Sequence, residues 1–158
     1  MTSARSEPRW LSPSEMRAWR AYVVGTELMR QQLHRELVDA HRLTIADYEV
    51  LVQLSEHEDG RLRMTQLAGR VVSSKSRLSH QIARMEQAGL VRRVECPDDA
   101  RGVLAELTDK GMTHLRAAAP THVAGVRRHF VDHLSEDEQE VMATVFERVL
   151  KHLDQLPT

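Results

Sequence analysis

The chain has 158 residues, 41% hydrophobic, 28% charged and only 4% aromatic, with a formal net charge of −1. That length suits one globular domain, with or without an oligomerisation extension, and its apolar runs are far too short to cross a bilayer. The opening "MTSARSEPRW" lacks the apolar segment of a secretory signal, and the single cysteine, Cys96, excludes an intramolecular disulfide framework, so a cytoplasmic protein with no membrane contact is expected.

Residues 1–12 read as a loose arm. Ser12-Pro13-Ser14-Glu15 has the small polar and acidic residues that accept from free amides at a helix start. The helix it opens runs to about His41, with Trp19, Tyr22, Val23, Leu28, Leu33 and Leu37 at helical spacing. At roughly 25 residues it exceeds what a small domain needs for its own core, and such helices usually lie against another element, often a second copy. Thr44 caps a second helix, whose buried side is Tyr48, Leu51, Val52 and Leu54, and Gly60 closes it. "RLRM" suits a short strand, and Thr65 starts a short helix, "TQLAGRV".

Ser73 or Ser74 caps the next helix, in which Leu78, Ile82 and Met85 form one buried stripe. Gly89 ends it in a left-handed conformation. Leu90–Glu95 and Val103–Leu107 have strand character, and "CPDDARG" between them is turn chemistry with Arg101 at the tip. Thr108 starts a further helix that Pro120 kinks or interrupts. Ser135 and Glu138 form a capping box for a last helix with a broad apolar face, from Val141 to Leu153.

Charge is distributed unevenly. Arg61–Arg101 holds nine Arg or Lys against four Asp or Glu, about +5, which leaves about −6 for the rest. A short helix, a tight turn, a cationic helix and a hairpin make the winged form of a helix-turn-helix, which suits duplex DNA because an α-helix fits the major groove. Ser73, Ser74, Lys75, Ser76 and Arg77 lie at the helix start, where free amides favour phosphate. His80, Gln81 and Arg84 follow about a turn later. Arg77 and Gln81 are candidates for base edges and Arg84 for phosphate. Arg101 is placed to enter the minor groove, and Asp99 either braces it or only forms the turn. Taken singly, these cations read as solubilising charges, His80 as a surface residue and Ser73 as a cap.

"TQLAGRVVSSKSRLSHQIARMEQAGLVRR" at 65–93 and "PDDARGVLAELTDKG" at 97–111 resemble the MarR family of winged helix-turn-helix transcription regulators. The match rests on Leu67-Ala68 before the turn, on Ser73–Ser76, and on Met85-Glu86-Gln87-Ala88-Gly89-Leu90-Val91, where Met85 replaces the family's Leu. It also rests on Asp99, Arg101, Leu107, Thr108 and Gly111 in the wing. The likeness covers roughly 14–156. It implies a mostly α fold forming a single domain over 1–158. A winged helix-turn-helix lobe occupies about 44–111, with N- and C-terminal dimerisation helices at about 14–41 and 112–156. It implies a homodimer on a pseudo-palindromic double-stranded DNA operator, acting as a repressor relieved by a small aromatic or anionic effector. Candidate effector contacts are Trp19, Tyr22, His41 and Tyr48, for each of which core or interface is the simpler reading.

No cofactor and no metal site is expected. His129 and His133, four apart on one helical face beside Asp132, have zinc-ligand spacing, but there is no Cys/His cluster and scattered surface histidines are the simpler reading. Cys96, expected to be exposed at the wing base, lies near Arg92 and Arg93, whose charge would favour a thiolate. No nucleophile elbow, phosphate-cradling glycine loop or metalloprotease helix is present, which argues against an enzyme. The alternative is a dimeric small-molecule or redox sensor acting mainly through another partner, with weak or nonspecific DNA binding.

Overall fold

A computed structural model describes residues 8–96 and 99–156, with residues 99–101 described for the backbone alone. Helix α1 spans Pro13–His41 and begins with a reciprocal cap between Ser12 and Glu15. Helix α2 (Ile45–Ser55) starts at Thr44, whose hydroxyl accepts from the Asp47 amide. Strand β1 (Arg61–Arg63) leads into α3 (Met64–Arg70), and the turn after it delivers the chain to α4 (Lys75–Gln87). Strands β2 (Val91–Cys96) and β3 (Asp99–Leu107) follow, then α5 (Asp109–His129), a short 3-10 turn at Val131–His133, and α6 (Glu136–Asp154).

The sheet is antiparallel, in the order β1-β3-β2, with Glu106 opposite both Arg61 and Arg92. Its apolar side and helices α1 to α5 enclose one core that includes Leu37, Leu51, Leu54, Leu67, Leu78 and Ile82. A fully buried leucine of this kind stabilises by about 2 kcal/mol. Helix α4 joins the core through its predicted stripe, Leu78, Ile82 and Met85. Gly89 then takes φ +76, the left-handed value that lets the chain leave the helix and enter β2.

Three expectations are corrected. The turn between the wing strands is shorter than "CPDDARG", because β3 begins at Asp99 and Cys96 pairs with Asp99. Arg101 therefore lies within a strand and not at a turn tip. Pro120 neither ends nor interrupts α5, which continues to His129. The cap, the packing and the remaining helix bonds outweigh the single amide that proline lacks. Cys96 is buried, not exposed, at the irregular end of β2 where it pairs with Asp99.

Helix α6 has no buried residue, although its face carries Val141, Val145, Val149, Leu150 and Leu153. The first half of α1 matches it, with Trp19, Tyr22, Val24 and Leu28 exposed. Tyr22 lies against Trp19 within α1, with centroids 5.9 Å apart, and joins α1 to α6 through Phe146 at 5.2 Å. Among the described residues, no helix is long and apolar enough to cross a membrane.

Candidate nucleic-acid interface

Helix α4 carries the site. Its cap is Ser74, whose Oγ accepts from the Arg77 amide at 3.3 Å. Ser73 stands one residue outside the helix and is half-buried. With Leu78, Ile82 and Met85 turned to the core, helical phase sends Ser76 and His80 outward, and both are exposed. Lys75 and Ser79 occupy one flank. Together with Arg63, Thr65, Gly102 and Val103 they line a trough of about 440 Å³ between the helix and the wing. Arg77, Gln81 and Arg84 occupy the other flank. They border a depression of about 290 Å³ that reaches Ser73, Val72 and Arg30.

The cations of this face are not equivalent. Arg92 and Arg61 both bind Glu106, at 2.6 and 3.1 Å. Arg93 binds Glu86 through its side chain and its backbone amide. These three hold the wing to itself and to α4. Gln81 donates its amide nitrogen to Asp47 Oδ1 at 2.9 Å, and Arg84 reaches the same oxygen at 3.2 Å. Among the described residues, the side chains of Lys75, Arg77 and His80 have no ion-pair or hydrogen-bond partner, and all three are exposed to solvent. The backbone of Asp99 and Arg101 opens β3, but their side chains, and all of Pro97 and Asp98, lie outside the described residues.

The MarR family model matches residues 43–103, which spans α2 through the wing. The chain is 45% identical to AbsC, a MarR family transcriptional regulator from Streptomyces coelicolor. That likeness covers 94% of this chain and all of AbsC, with a TM-score of 0.89. This protein belongs to the MarR family of transcription regulators. A second relative of this MarR-family chain is Sco3205 of Streptomyces coelicolor, whose structure was solved in complex with DNA. It is 40% identical over 94% of this chain and 93% of its own, again with a TM-score of 0.89. The regulator PecS of Dickeya dadantii is 26% identical over 83% of this chain and 81% of its own.

In this MarR-family chain the four residues singled out for an effector do not share one crevice. Trp19 and Tyr22 lie on the exposed α1–α6 face. His41 Nε2 contacts Thr121 Oγ1 at 2.7 Å, while His114 Nε2 contacts the His41 carbonyl. Tyr48 is buried against His122, with ring centroids 4.4 Å apart, and burial pushes its phenol pKa up. Tyr48 and His122 line a cavity of about 600 Å³ with Arg30, Glu49, Gln53 and Arg70. Burial holds the His122 imidazole below its ordinary pKa, and its Nδ1 is buried without a hydrogen-bond partner among the described residues.

The histidine pair at 129 and 133 is also redistributed. Helix α5 stops at His129, so the two residues do not share a helical face. His129 Nε2 meets Glu36 Oε1 at 2.7 Å, and His133 Nε2 meets the Arg128 carbonyl. Sequence reasoning missed Arg63, Thr65 and Ser79 as lining of the trough, and Asp47 as the acceptor for Gln81 and Arg84. Arg63 was visible as part of the basic window. The role of Asp47 had no local signal beyond its place in the first turn of α2.

Proposed function

We propose that this regulator is a homodimer that binds a pseudo-palindromic duplex operator sequence-specifically, and that it represses transcription until a small-molecule effector relieves it. The observation that carries the reading is the outward face of α4, where Lys75, Ser76, Arg77 and His80 stand clear of side-chain partners among the described residues, beside a trough that ends at the wing. Ser73 and Ser74 bring small donors to the helix start, and Arg101 supplies the wing's contact. The structure of Sco3205 with DNA supports the same use of the fold.

Dimerisation is supported by the apolar face shared by α1 and α6, which a second copy would cover. Two lobes related by a two-fold axis then read half-sites about one helical turn apart. The cavity between Tyr48 and His122 is where an effector would act, because α2 and the α3–α4 turn both line it. An aromatic ring with an acidic group suits its Tyr48, His122, Arg30 and Arg70 lining. A cytoplasmic location goes with this reading, since its partner is DNA.

Selection of random duplex DNA by the purified protein tests the reading. A two-fold symmetric motif bound by a dimer is expected, with affinity falling steeply as salt rises because phosphate contacts release counterions. Arg77→Ala and Arg101→Ala should each weaken binding to that motif. Absence of an enriched motif, or indifference to both changes, overturns it.

A further inference from the structure

The first turn of α2 sets a carboxylate beside the recognition helix. Asp47 is the third residue of α2, and its backbone N–H donates to Thr44 Oγ1 at 3.1 Å, which fixes where the side chain starts. Its Oδ1 accepts two bonds from α4, one from Gln81 Nε2 and one from the Arg84 guanidinium. The carboxylate side chain is 14% exposed, whereas that of Arg84 is 64% exposed. The cation thus reaches solvent on the side from which a phosphate would approach, with its counter-charge behind it. Lys75 and Arg77, on the same helix, carry no such counter-charge among the described residues.

We propose that Asp47 is a positioning residue that competes with DNA phosphate for Arg84 and so holds down the sequence-independent part of the affinity. The inference rests on the regulator reading above. A phosphate arriving at Arg84 meets one of two costs. Displacing Asp47 leaves a largely covered carboxylate with Gln81 as its only side-chain donor among the described residues, and sharing the guanidinium brings a phosphate close to a like charge. Either cost makes Arg84 a weaker phosphate contact than an unpaired arginine at the same place. Asp47 also holds the Gln81 amide nitrogen. That bond takes one of the two N–H donors of the Gln81 amide and fixes the plane of the side chain, which restricts the two-bond contact to adenine that needs an N–H and the carbonyl oxygen together. Asp47 therefore restrains two of the three flank residues that the sequence assigns to DNA, Gln81 and Arg84.

The test is duplex binding by the full-length protein across a salt series, on DNA of arbitrary sequence and on the selected operator. Asp47→Asn keeps the shape of the side chain, the backbone bond to Thr44 and an oxygen for Gln81, and removes only the charge. It should tighten binding to arbitrary duplex about five- to tenfold at low salt and steepen the slope of log affinity against log salt by about one. On an Arg84→Ala background, the same change should alter neither quantity. Tightening that survives Arg84→Ala would mean that Asp47 repels DNA as a bulk charge, and overturns the proposal. Unchanged affinity and slope overturn it as well. Thermal unfolding checks the variants, and Asp47→Ser replaces Asp47→Asn if the latter fails to fold. Normal duplex binding by the parent with an indifferent Asp47→Asn removes this inference alone. A parent with no salt-dependent duplex binding removes the regulator reading and this inference with it.

Discussion

Gly111 lies so close to the backbone of Leu90 that a Cβ on it would stand 2.1 Å from the Leu90 carbonyl oxygen. Thr108, the cap of α5, reinforces the contact by donating its hydroxyl to the carbonyls of Gly89 and Leu90. The start of α5 is thereby pressed against the entry to β2, and the wing is tied to the long helix behind it. Gly111→Ala should cost about 2–3 kcal/mol, since backbone atoms cannot yield as a side-chain tip can. Urea unfolding followed by circular dichroism measures it. A change below a few tenths would show that the two elements part easily.

Val72 presents the opposite case. It holds φ +50 in the turn before α4, a left-handed value, and its side chain is 92% exposed. A β-branched residue is strained there and gains almost no burial in return. Val72→Gly should therefore stabilise the protein by about 1 kcal/mol, the left-handed penalty less the added freedom of the unfolded chain. The same unfolding assay reads the sign directly.

Glu106 sits at the centre of the three-stranded sheet and is 9% exposed. The hydrogen bond from Arg92, with the charges of Arg61 and Arg92, holds its carboxyl below the usual carboxylate range. The folded value lies below the unfolded one, so the stabilisation is present above the unfolded pKa of about 4.3 and is lost as pH falls through the folded value. Glu106→Gln should lower stability at pH 7 and flatten the acid limb below about pH 4.5. Unfolding free energies between pH 3 and 7, on the order of one measurement per half unit, would show an unchanged acid limb if the ion pairs were idle.

Leu150 on α6 is 59% exposed in the single chain, within the apolar face shared with α1. Leu150→Glu leaves the lobe's own core untouched. It should weaken self-association by about 2–3 kcal/mol while leaving the helix content of the monomer intact. Sedimentation at several concentrations reads the association, and operator binding should fall with it. A variant that still dimerises with parental strength would locate the interface elsewhere.

What the sequence determined by itself was local. The caps at Ser12, Thr44, Thr108 and Ser135 were legible, and that of α4 to within Ser73 or Ser74, because the accepting hydroxyl and the amide it serves lie within three residues. The stripe Leu78-Ile82-Met85 and the exit at Gly89 were legible for the same reason, since periodicity and backbone freedom are properties of a short segment. The wing motif and the basic window pointed to DNA without reference to packing.

Tertiary structure alone decided which of those charges are available. Asp47 lies 34 residues from Gln81 and 37 from Arg84, and no local pattern joins them. Glu36 and His129 are 93 apart, and Glu106 meets Arg92 only through strand register. The burial of Cys96, the separation of His129 from His133 and the dispersal of Trp19, Tyr22, His41 and Tyr48 likewise depend on where elements end and how they pack. Composition counts a cation wherever it stands, but its use for DNA depends on whether a carboxylate from a distant part of the chain has been folded against it.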